Sequence, residues 1–447
     1  MTMDMTTGSP LGKILRFFVP VLLGNLLQQL YSTVDSVIIS QFVGVEAFAG
    51  VSATGSLNFL ILGLALGMCS GFAIPVSQEF GAGDHEQMRR CFANALYASG
   101  VISVIMAVVT ALLTPAILSA VGTPGDIFDY ACDYIRLVFI GIPATVMYNL
   151  LSGVMRAVGD GRTPLIMLLL SSVLNVILDV LFVVAFDMGV AGAAVATVVS
   201  QFISGLLCLY VIFKKTDVLA IRKNEWSYDG KIVVRLLGIG MPMGLQFSIT
   251  AIGSTILQAS VNSLGSSAVA AIGAGSRSQF IFTTPLEAIG ITMATYAGQN
   301  LGARRIDRVR KGVKDITIVM AIYCAVAFAL QLLVGRYIVM LFTGSGSGPI
   351  LDNATLYLNV VMGFAFLLAI VLIYRNTIQG LGYSNAAMLA GLMELVGRAF
   401  VALVLVRFFK FYGASFANPI AWVCADALLL PLYFRIVKRY EARFGTK

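Results

Sequence analysis

The sequence predicts an all-α, polytopic membrane protein. Of its 447 residues, 58% are hydrophobic and only 12% are charged, and the mean hydropathy is +0.90. A soluble chain of ordinary composition carries about 25% charged residues. Long apolar stretches separated by short polar loops recur along the chain, and each is long enough to cross a bilayer as a helix.

Twelve such stretches are predicted as transmembrane helices. With both termini placed in the cytoplasm, 24 of the 30 basic residues lie on the inner side and four on the outer side. Cytoplasmic loops are enriched in Lys and Arg, so this bias supports both the count and the orientation. The predicted spans are 17–42, 51–76, 92–118, 132–155, 163–186, 190–213, 236–262, 270–298, 316–342, 355–377, 386–407 and 413–435.

The longest inner connection divides the chain into two lobes of six spans. Residues recur at matching positions in both lobes, such as Pro20 with Pro242 and Gly44 with Gly265. Six spans is an even number, so both lobes enter the membrane the same way. We therefore expect a pseudo-two-fold axis along the membrane normal to relate them. The predicted organisation is an N-terminal lobe over 1–213, a cytoplasmic linker over 214–234 and a C-terminal lobe over 235–447.

The first span carries one acid, Asp35, in a stretch from Phe17 to Gly44 that has no other charge. A charge at the bilayer centre costs roughly 2.5–3.5 kcal/mol on the insertion scale, so such residues usually serve an ion or substrate pathway. The alternative is a buried acid satisfied by neighbouring hydroxyls. Pro20 removes a backbone hydrogen bond, which predicts a bend. Gln28 lies two helical turns before Asp35 on the same face.

Three polar residues of spans 5 and 6 are predicted to lie at the depth of Asp35. Asn175 and Asp179 are four residues apart and share a helix face. Asp35, Asp179 and Thr197 each lie seven residues, or about 10 Å, from the predicted outer end of their span. Their oxygens suit a hard cation such as Na⁺, and equally a proton. We predict a cation or proton site here, although Asn175 and Thr197 could individually serve interhelical hydrogen bonding.

The second lobe carries a different set of charges. Glu394 and Arg398 are four residues apart and are predicted to pair. Glu287 and Asp426 have no partner on sequence grounds, so each either lines a substrate cavity or meets Arg277. With Arg277 and Arg398 as the only deep bases, deep acids outnumber deep bases by five to two, which favours cationic cargo.

Composition also excludes several function classes. The single histidine, His85, rules out histidine-based metal or triad chemistry, and the six cysteines form no CxxC motif. No phosphate-binding GxxxxGK[ST] motif is present. The net charge of +8 comes from inner loops that face anionic lipid. We therefore expect no enzyme activity, no nucleic-acid binding and no cofactor other than a coupling ion.

Several motifs together resemble the multidrug and toxic compound extrusion (MATE) family of prokaryotic efflux transporters over nearly the whole chain. They are LYSTVDSVIISQFVG in span 1, SQEFGAGD and GQNLGARR after spans 2 and 8, MRAVGDGRTP after span 4, NVILD in span 5 and ELVGR in span 11. The resemblance implies two six-helix lobes that form a V. It also implies export of organic cations, driven by Na⁺ or H⁺, across the plasma (inner) membrane of a bacterium or archaeon.

The resemblance also assigns roles to individual residues. Some branches of the family carry a glutamate in span 7, where this chain has only Gln246 and Gln258. A coupling site of that kind would lack its acid here. The family's cation site matches Asp35, Asn175, Asp179 and Thr197, its span 1 bend matches Pro20, and its cavity network matches Gln28 and Asn149.

We therefore expect a monomeric, secondary active multidrug antiporter whose partners are the bilayer and cationic drugs or dyes. The alternative is a flippase for a lipid-linked saccharide or another amphiphile, from the same transporter superfamily. Such flippases usually have more spans and a strongly basic central cavity. A membrane-embedded enzyme would have to rely on carboxylates alone. The natural substrate, the choice between Na⁺ and H⁺ and the stoichiometry do not follow from the sequence.

Overall fold

The computed structural model describes residues 2–344 and 348–445, and these contain no β-strand. The α-helices are α1 (Pro10–Ile38), α2 (Val45–Ala53), α3 (Gly55–Ala82), α4 (His85–Val121), α5 (Phe128–Ile140), α6 (Ile142–Ala157), α7 (Arg162–Asp179), α8 (Gly189–Lys215), α9 (Gly230–Asn262), α10 (Ser266–Gly302), α11 (Ile306–Thr343), α12 (Pro349–Gly363), α13 (Ala365–Gly380), α14 (Ser384–Phe400), α15 (Val406–Ser415) and α16 (Ala417–Phe444). Three π-helical turns, Ile39–Val43, Val180–Ala185 and Val401–Leu405, extend α1, α7 and α14.

Helices lie at all twelve predicted spans. Within the described residues, nine helices are long and apolar enough to cross a membrane, or up to eleven if each of two bent pairs is one span. Helix α10, at predicted span 270–298, has 37 residues but is outside that set. It contains Arg277 and Glu287 together with many Ser, Thr and Gly residues. The all-α polytopic class is confirmed, and the count of twelve crossings stays a prediction.

The chain packs into two compact units. The first consists of Met1–Met5 and Arg16–Gly244, and the second of Thr6–Leu15 and Leu245–Lys447. The division between them therefore falls within α9, ten residues after the end of the predicted linker. The start of α9 belongs with the first unit because glycines allow it to pack very closely on α3. A Cβ on Gly71 would lie 2.5 Å from the Cα of Gly240, and small residues are what permit such close helix crossings in membranes.

Both halves repeat the same local backbone features. The pair α5–α6 is bent by 49° and the pair α12–α13 by 50°, at the breaks formed by Gly141 and Phe364. Gly44 precedes α2 with a φ of 119°, and Gly265 precedes α10 with a φ of 97°. These angles favour glycine because it has no Cβ, which explains why glycine recurs at this position of the repeat.

Two acids in the motif loops cap helices. The carboxylate of Asp84 accepts a hydrogen bond from the amide of Gln87 at 2.9 Å, at the start of α4. Asp160 accepts from the amides of Arg162 and Thr163 at 3.1 and 3.0 Å, at the start of α7. Such side-chain caps satisfy amides that have no partner within the helix. Asp84 and Asp160 therefore have structural roles.

A buried ion pair ties the linker to α4. Arg89 donates through Nε and Nη2 to the two carboxylate oxygens of Glu225, both at 2.7 Å. Both side chains are almost fully buried. The hydrogen bonds from Arg89 hold the pKa of the Glu225 carboxyl below its usual value. The amide of Asp229 also donates to Asn94 Oδ1 on α4 at 2.8 Å.

Candidate functional site

Asp35 and Asp179 lie side by side in the first unit. Asp35 is on α1, one turn before the π-helical turn Ile39–Val43, and Asp179 is the last residue of α7, directly before Val180–Ala185. Their carboxyl groups are close enough to interact with each other. Asp179 is fully buried and Asp35 is half-buried. The structure thus joins the two acids that the sequence places at one depth.

The two π-helical turns that follow these acids pack against each other. Each turn contains a hydrogen bond between residues five apart in the sequence. The amide of Gly44 donates to the carbonyl of Ile39 at 3.2 Å, and the amide of Phe186 donates to the carbonyl of Leu181 at 3.0 Å. A π-helical turn changes the direction in which later side chains point, and such turns are frequent at functional sites. They bring the C-terminal ends of α1 and α7 together beside the acids.

Four buried oxygens in this cluster have no hydrogen-bond partner among the described residues. They are Asp35 Oδ1, both carboxylate oxygens of Asp179, and Asn175 Oδ1. Each buried acceptor left unpaired costs about 1–3 kcal/mol, and more when it is charged. Two adjacent carboxylates also repel each other, so a positive charge between them would be stabilising. These oxygens therefore fit either a shared proton or a hard cation such as Na⁺.

Neutral side chains complete the group. Tyr31 donates its hydroxyl hydrogen to Thr197 Oγ1 at 3.2 Å, and the Asn175 amide donates to the same oxygen at 3.5 Å. Tyr134 on α5 lies near both carboxyl groups. A cation held here would use two carboxylates and neutral oxygens, because the described residues contain no group of three or more His, Cys, Asp or Glu that could hold a metal.

Neither tyrosine is among the site residues predicted from the sequence. Tyr31 lies four residues before Asp35 on the same helix, so the i, i+4 spacing was a signal that could have found it. Tyr134 approaches the acids only because α5 packs against α8 and α2 in the folded unit. No spacing in the sequence indicates that contact.

The predicted cavity residues lie outside this hydrogen-bonded group. Gln28 is exposed on α1. Asn149 is half-buried, and its amide donates to the carbonyl of Thr145 on its own helix at 2.8 Å. Within the described part of the chain, neither residue bonds to the Asp35 cluster. Glu287 is exposed on α10, in the second unit. Their role in binding a substrate stays a prediction.

Helix α1 continues through Pro20 without interruption. Proline has no amide hydrogen, so the carbonyl of Arg16 loses its helical partner at this point. The proline ring packs against Gly161, where an added Cβ would lie 3.1 Å from Pro20 Cγ. Pro20 is therefore a weak point in the hydrogen bonding of α1, and the bend itself stays a prediction.

The charges of the second unit differ in part from the expected arrangement. The predicted pair of Glu394 and Arg398 is confirmed at 3.4 Å, but Glu394 also accepts from Arg375 at 2.8 Å. Arg375, near the end of predicted span 10, was not counted among the deep bases, but its side chain is only 14% exposed. Arg277 is exposed. The base near Glu287 is Arg375.

Comparisons with known proteins agree with these features. The family model described as MatE matches the chain twice, over residues 20–181 and 242–404, and so follows the internal repeat. "Probable multidrug resistance protein YpnP" of Bacillus subtilis (strain 168) is 32% identical over 341 residues, 76% of this chain and 76% of that protein. "Multidrug export protein MepA" of Staphylococcus aureus (strain NCTC 8325 / PS 47) is 22% identical over 431 residues, 95% of this chain and 94% of that protein.

A solved structure described as the outward-facing conformation of a multidrug resistance MATE family transporter of the MOP superfamily is also similar. It superposes with a TM-score of 0.91 at 22% sequence identity, and the match covers 97% of both chains. At this identity the likeness concerns the fold.

Proposed function

Because the chain belongs to the MatE family of multidrug transporters, we propose that it is a secondary active antiporter that exports lipophilic organic cations in exchange for Na⁺ or H⁺. The observation that carries the proposal is the adjacent pair Asp35 and Asp179, whose buried oxygens lack partners in the described residues. The names of the similar proteins, which refer to multidrug resistance and export, support the transport of drugs. The proposed setting is a bacterial or archaeal plasma membrane, with a monomer whose termini are cytoplasmic.

The acid pair can couple the ion to the drug through charge. When both carboxylates are ionised, they attract an organic cation by long-range electrostatics. When a proton is shared between them, or Na⁺ is held by both, that attraction falls. Export against a gradient requires that ion and drug compete for one state or bias the same helix between two shapes. Helix α1 suits this role because it carries both Asp35 and the weak point at Pro20.

The cluster offers partners for either ion. A proton would form a hydrogen bond from one carboxyl to the other. Na⁺ would be held by the carboxylates of Asp35 and Asp179 and by Asn175 Oδ1, with the hydroxyls of Thr197 and Tyr31 beside them. All of these are oxygen ligands, as hard cations prefer.

The charge balance supports cationic cargo. With Arg375 included, five deep acids (Asp35, Asp179, Glu287, Glu394 and Asp426) face three deep bases (Arg277, Arg375 and Arg398). Glu394 is neutralised by its two arginines. The acid pair of the first unit has no such counterion among the described residues, so it remains available to attract a cation.

Ethidium efflux from proteoliposomes tests the proposal, with Na⁺ and pH gradients imposed separately. We expect efflux above the rate of protein-free vesicles under at least one gradient, and no efflux when both gradients are absent. An anionic dye of similar size is the matched control and should move more slowly. Equal or faster movement of the anionic dye would contradict the proposal and favour a flippase for anionic amphiphiles.

A further inference from the structure

Asp426 is a second buried acid that the proposed mechanism does not use. It lies on α16 in the second unit and is 5% exposed. Both of its carboxylate oxygens are buried and have no hydrogen-bond partner among the described residues. An ionised carboxylate in this situation would forfeit its hydration without compensation, which costs several kcal/mol.

No group around Asp426 forms a hydrogen bond with it among the described residues. Glu394 and Arg375 are its charged neighbours. Glu394 takes hydrogen bonds from Arg375 and Arg398, and no hydrogen bond from either arginine to Asp426 occurs among the described residues. Tyr374 on α13 also lies nearby.

The remaining helices that pack on α16 contribute no further acid or base close to Asp426. Arg407 and Lys410 of α15 are exposed. The acids and bases of α11 lie within its first ten residues and at Arg336. On α16 itself, the hydroxyl of Tyr433 is buried without a partner in the described residues, two helical turns after Asp426.

The neighbours of Asp426 indicate which ligand it holds. Its one basic neighbour, Arg375, is bonded to Glu394, which is itself an acid. An ionised Asp426 would therefore have no bonded counterion, and one proton removes its charge. A metal cation is disfavoured because the adjacent guanidinium of Arg375 repels it.

We propose that Asp426 is an exchangeable proton-binding site of the second unit, distinct from the Asp35–Asp179 pair. In the state described here the carboxyl carries the proton and is neutral. When the proton leaves to solvent, the resulting carboxylate accepts a hydrogen bond from Arg375, its one basic neighbour. Proton exchange at Asp426 therefore changes how Arg375 is shared between Asp426 and Glu394.

Infrared difference spectroscopy of the purified full-length protein in lipid tests this inference without relying on drug transport. A protonated carboxyl group has a C=O stretching band that an ionised carboxylate lacks. We expect a band that shifts in D₂O, disappears at high pH and is absent from Asp426→Asn. The band should remain in Asp179→Asn and in Asp84→Asn, which removes an exposed helix-capping acid.

Two results would overturn the proposal. One is a spectrum of Asp426→Asn identical to that of the wild type at every pH. The other is a band that neither shifts in D₂O nor responds to pH, which would show a permanently neutral, structural carboxyl. If Asp426→Asn does not fold, Asp426→Glu keeps the acid and should shift the band. An unshifted band in that variant would also count against Asp426. Loss of ethidium efflux in Asp35→Asn has no bearing on this band, so the two proposals can fail separately.

Discussion

At the residue scale, Asp35 and Asp179 contribute three of the four unpartnered oxygens in the first-unit cluster. Asn175 is held in place because its amide donates to Thr197, which leaves its carbonyl oxygen available. The cluster thus contains buried acceptor oxygens without a hydrogen-bond donor. Leaving them unpaired costs free energy unless an ion binds. We therefore expect the site to bind a proton or a cation.

Replacing Asp35 by asparagine tests whether this cluster binds the coupling ion. Asp35→Asn keeps the shape of the side chain but cannot exchange a proton and is a weaker cation ligand. We expect normal membrane insertion and near-complete loss of gradient-driven ethidium efflux, with Asp179→Asn similarly or slightly less affected. Glu287→Gln is the control, and it should keep ion coupling because Glu287 lies in the second unit. Efflux near the wild-type rate in Asp35→Asn would mean that the acid pair is structural.

At the scale of elements, the ion pair between α4 and the linker should contribute to stability. Removing one partner of a buried pair typically costs about 3–5 kcal/mol because the other charge is left uncompensated. We therefore expect Glu225→Gln to lower the melting temperature of the detergent-solubilised protein clearly. Glu79→Gln is the matched control, because its partner Arg235 is 40% exposed and such pairs contribute about 0–1 kcal/mol. If both variants lowered the melting temperature equally, the Arg89–Glu225 pair would not be the stronger contributor to stability.

The same ion pair predicts a pH dependence. The pKa of Glu225 is lowered from 4.5 by hydrogen bonds from Arg89, so the folded state favours the ionised form. This contribution is present in full above the unfolded pKa and is lost as the pH falls through the lower folded value. We expect the difference in melting temperature between wild type and Glu225→Gln to be constant above about pH 5 and to shrink below it. If the difference in melting temperature instead grew as the pH fell, the ionised form of Glu225 would not be the one that stabilises the fold.

The contact between α3 and α9 should depend on glycine. Gly71→Ala would place a Cβ within 2.5 Å of backbone atoms of α9, where nothing flexible can move aside. Overpacking of this kind typically costs about 1–3 kcal/mol, so we expect a lower melting temperature. Gly100→Ala on α4 is the control, since an added Cβ there meets nothing within 4 Å. A melting temperature of Gly71→Ala equal to that of the control would mean that the helices can separate freely.

At the scale of the whole molecule, orientation follows from the distribution of basic residues. Single cysteines at the exposed positions Asp126 and Asp352 should react with an impermeant maleimide from outside intact cells. A cysteine at Tyr228, which is 71% exposed in the linker, should react only after permeabilisation. The half-buried native Cys132 and Cys424 should first be replaced by serine to lower the background. Labelling of position 228 in intact cells would reverse the orientation.

The sequence by itself determined the helical class, the repeat and four members of the candidate site. Apolar length and the cost of unpaired backbone groups in lipid leave the helix as the structure available to such segments. The equal predicted depth of Asp35, Asp179 and Thr197 within their spans followed from counting residues, because an α-helix rises by a fixed distance per residue. Asn175 followed from its spacing to Asp179.

Tertiary structure decided which faces of these helices meet. The π-helical turns after Asp35 and Asp179 change the helical phase, and their sequences contain no proline or glycine that would indicate them. Tyr134 reaches the acids through the packing of α5, and Arg375 turns inward because Glu394 on a neighbouring helix provides its counterion. Helical periodicity determines which residues share a face of one helix. Contacts between helices depend on the close packing of many side chains together, which periodicity does not specify.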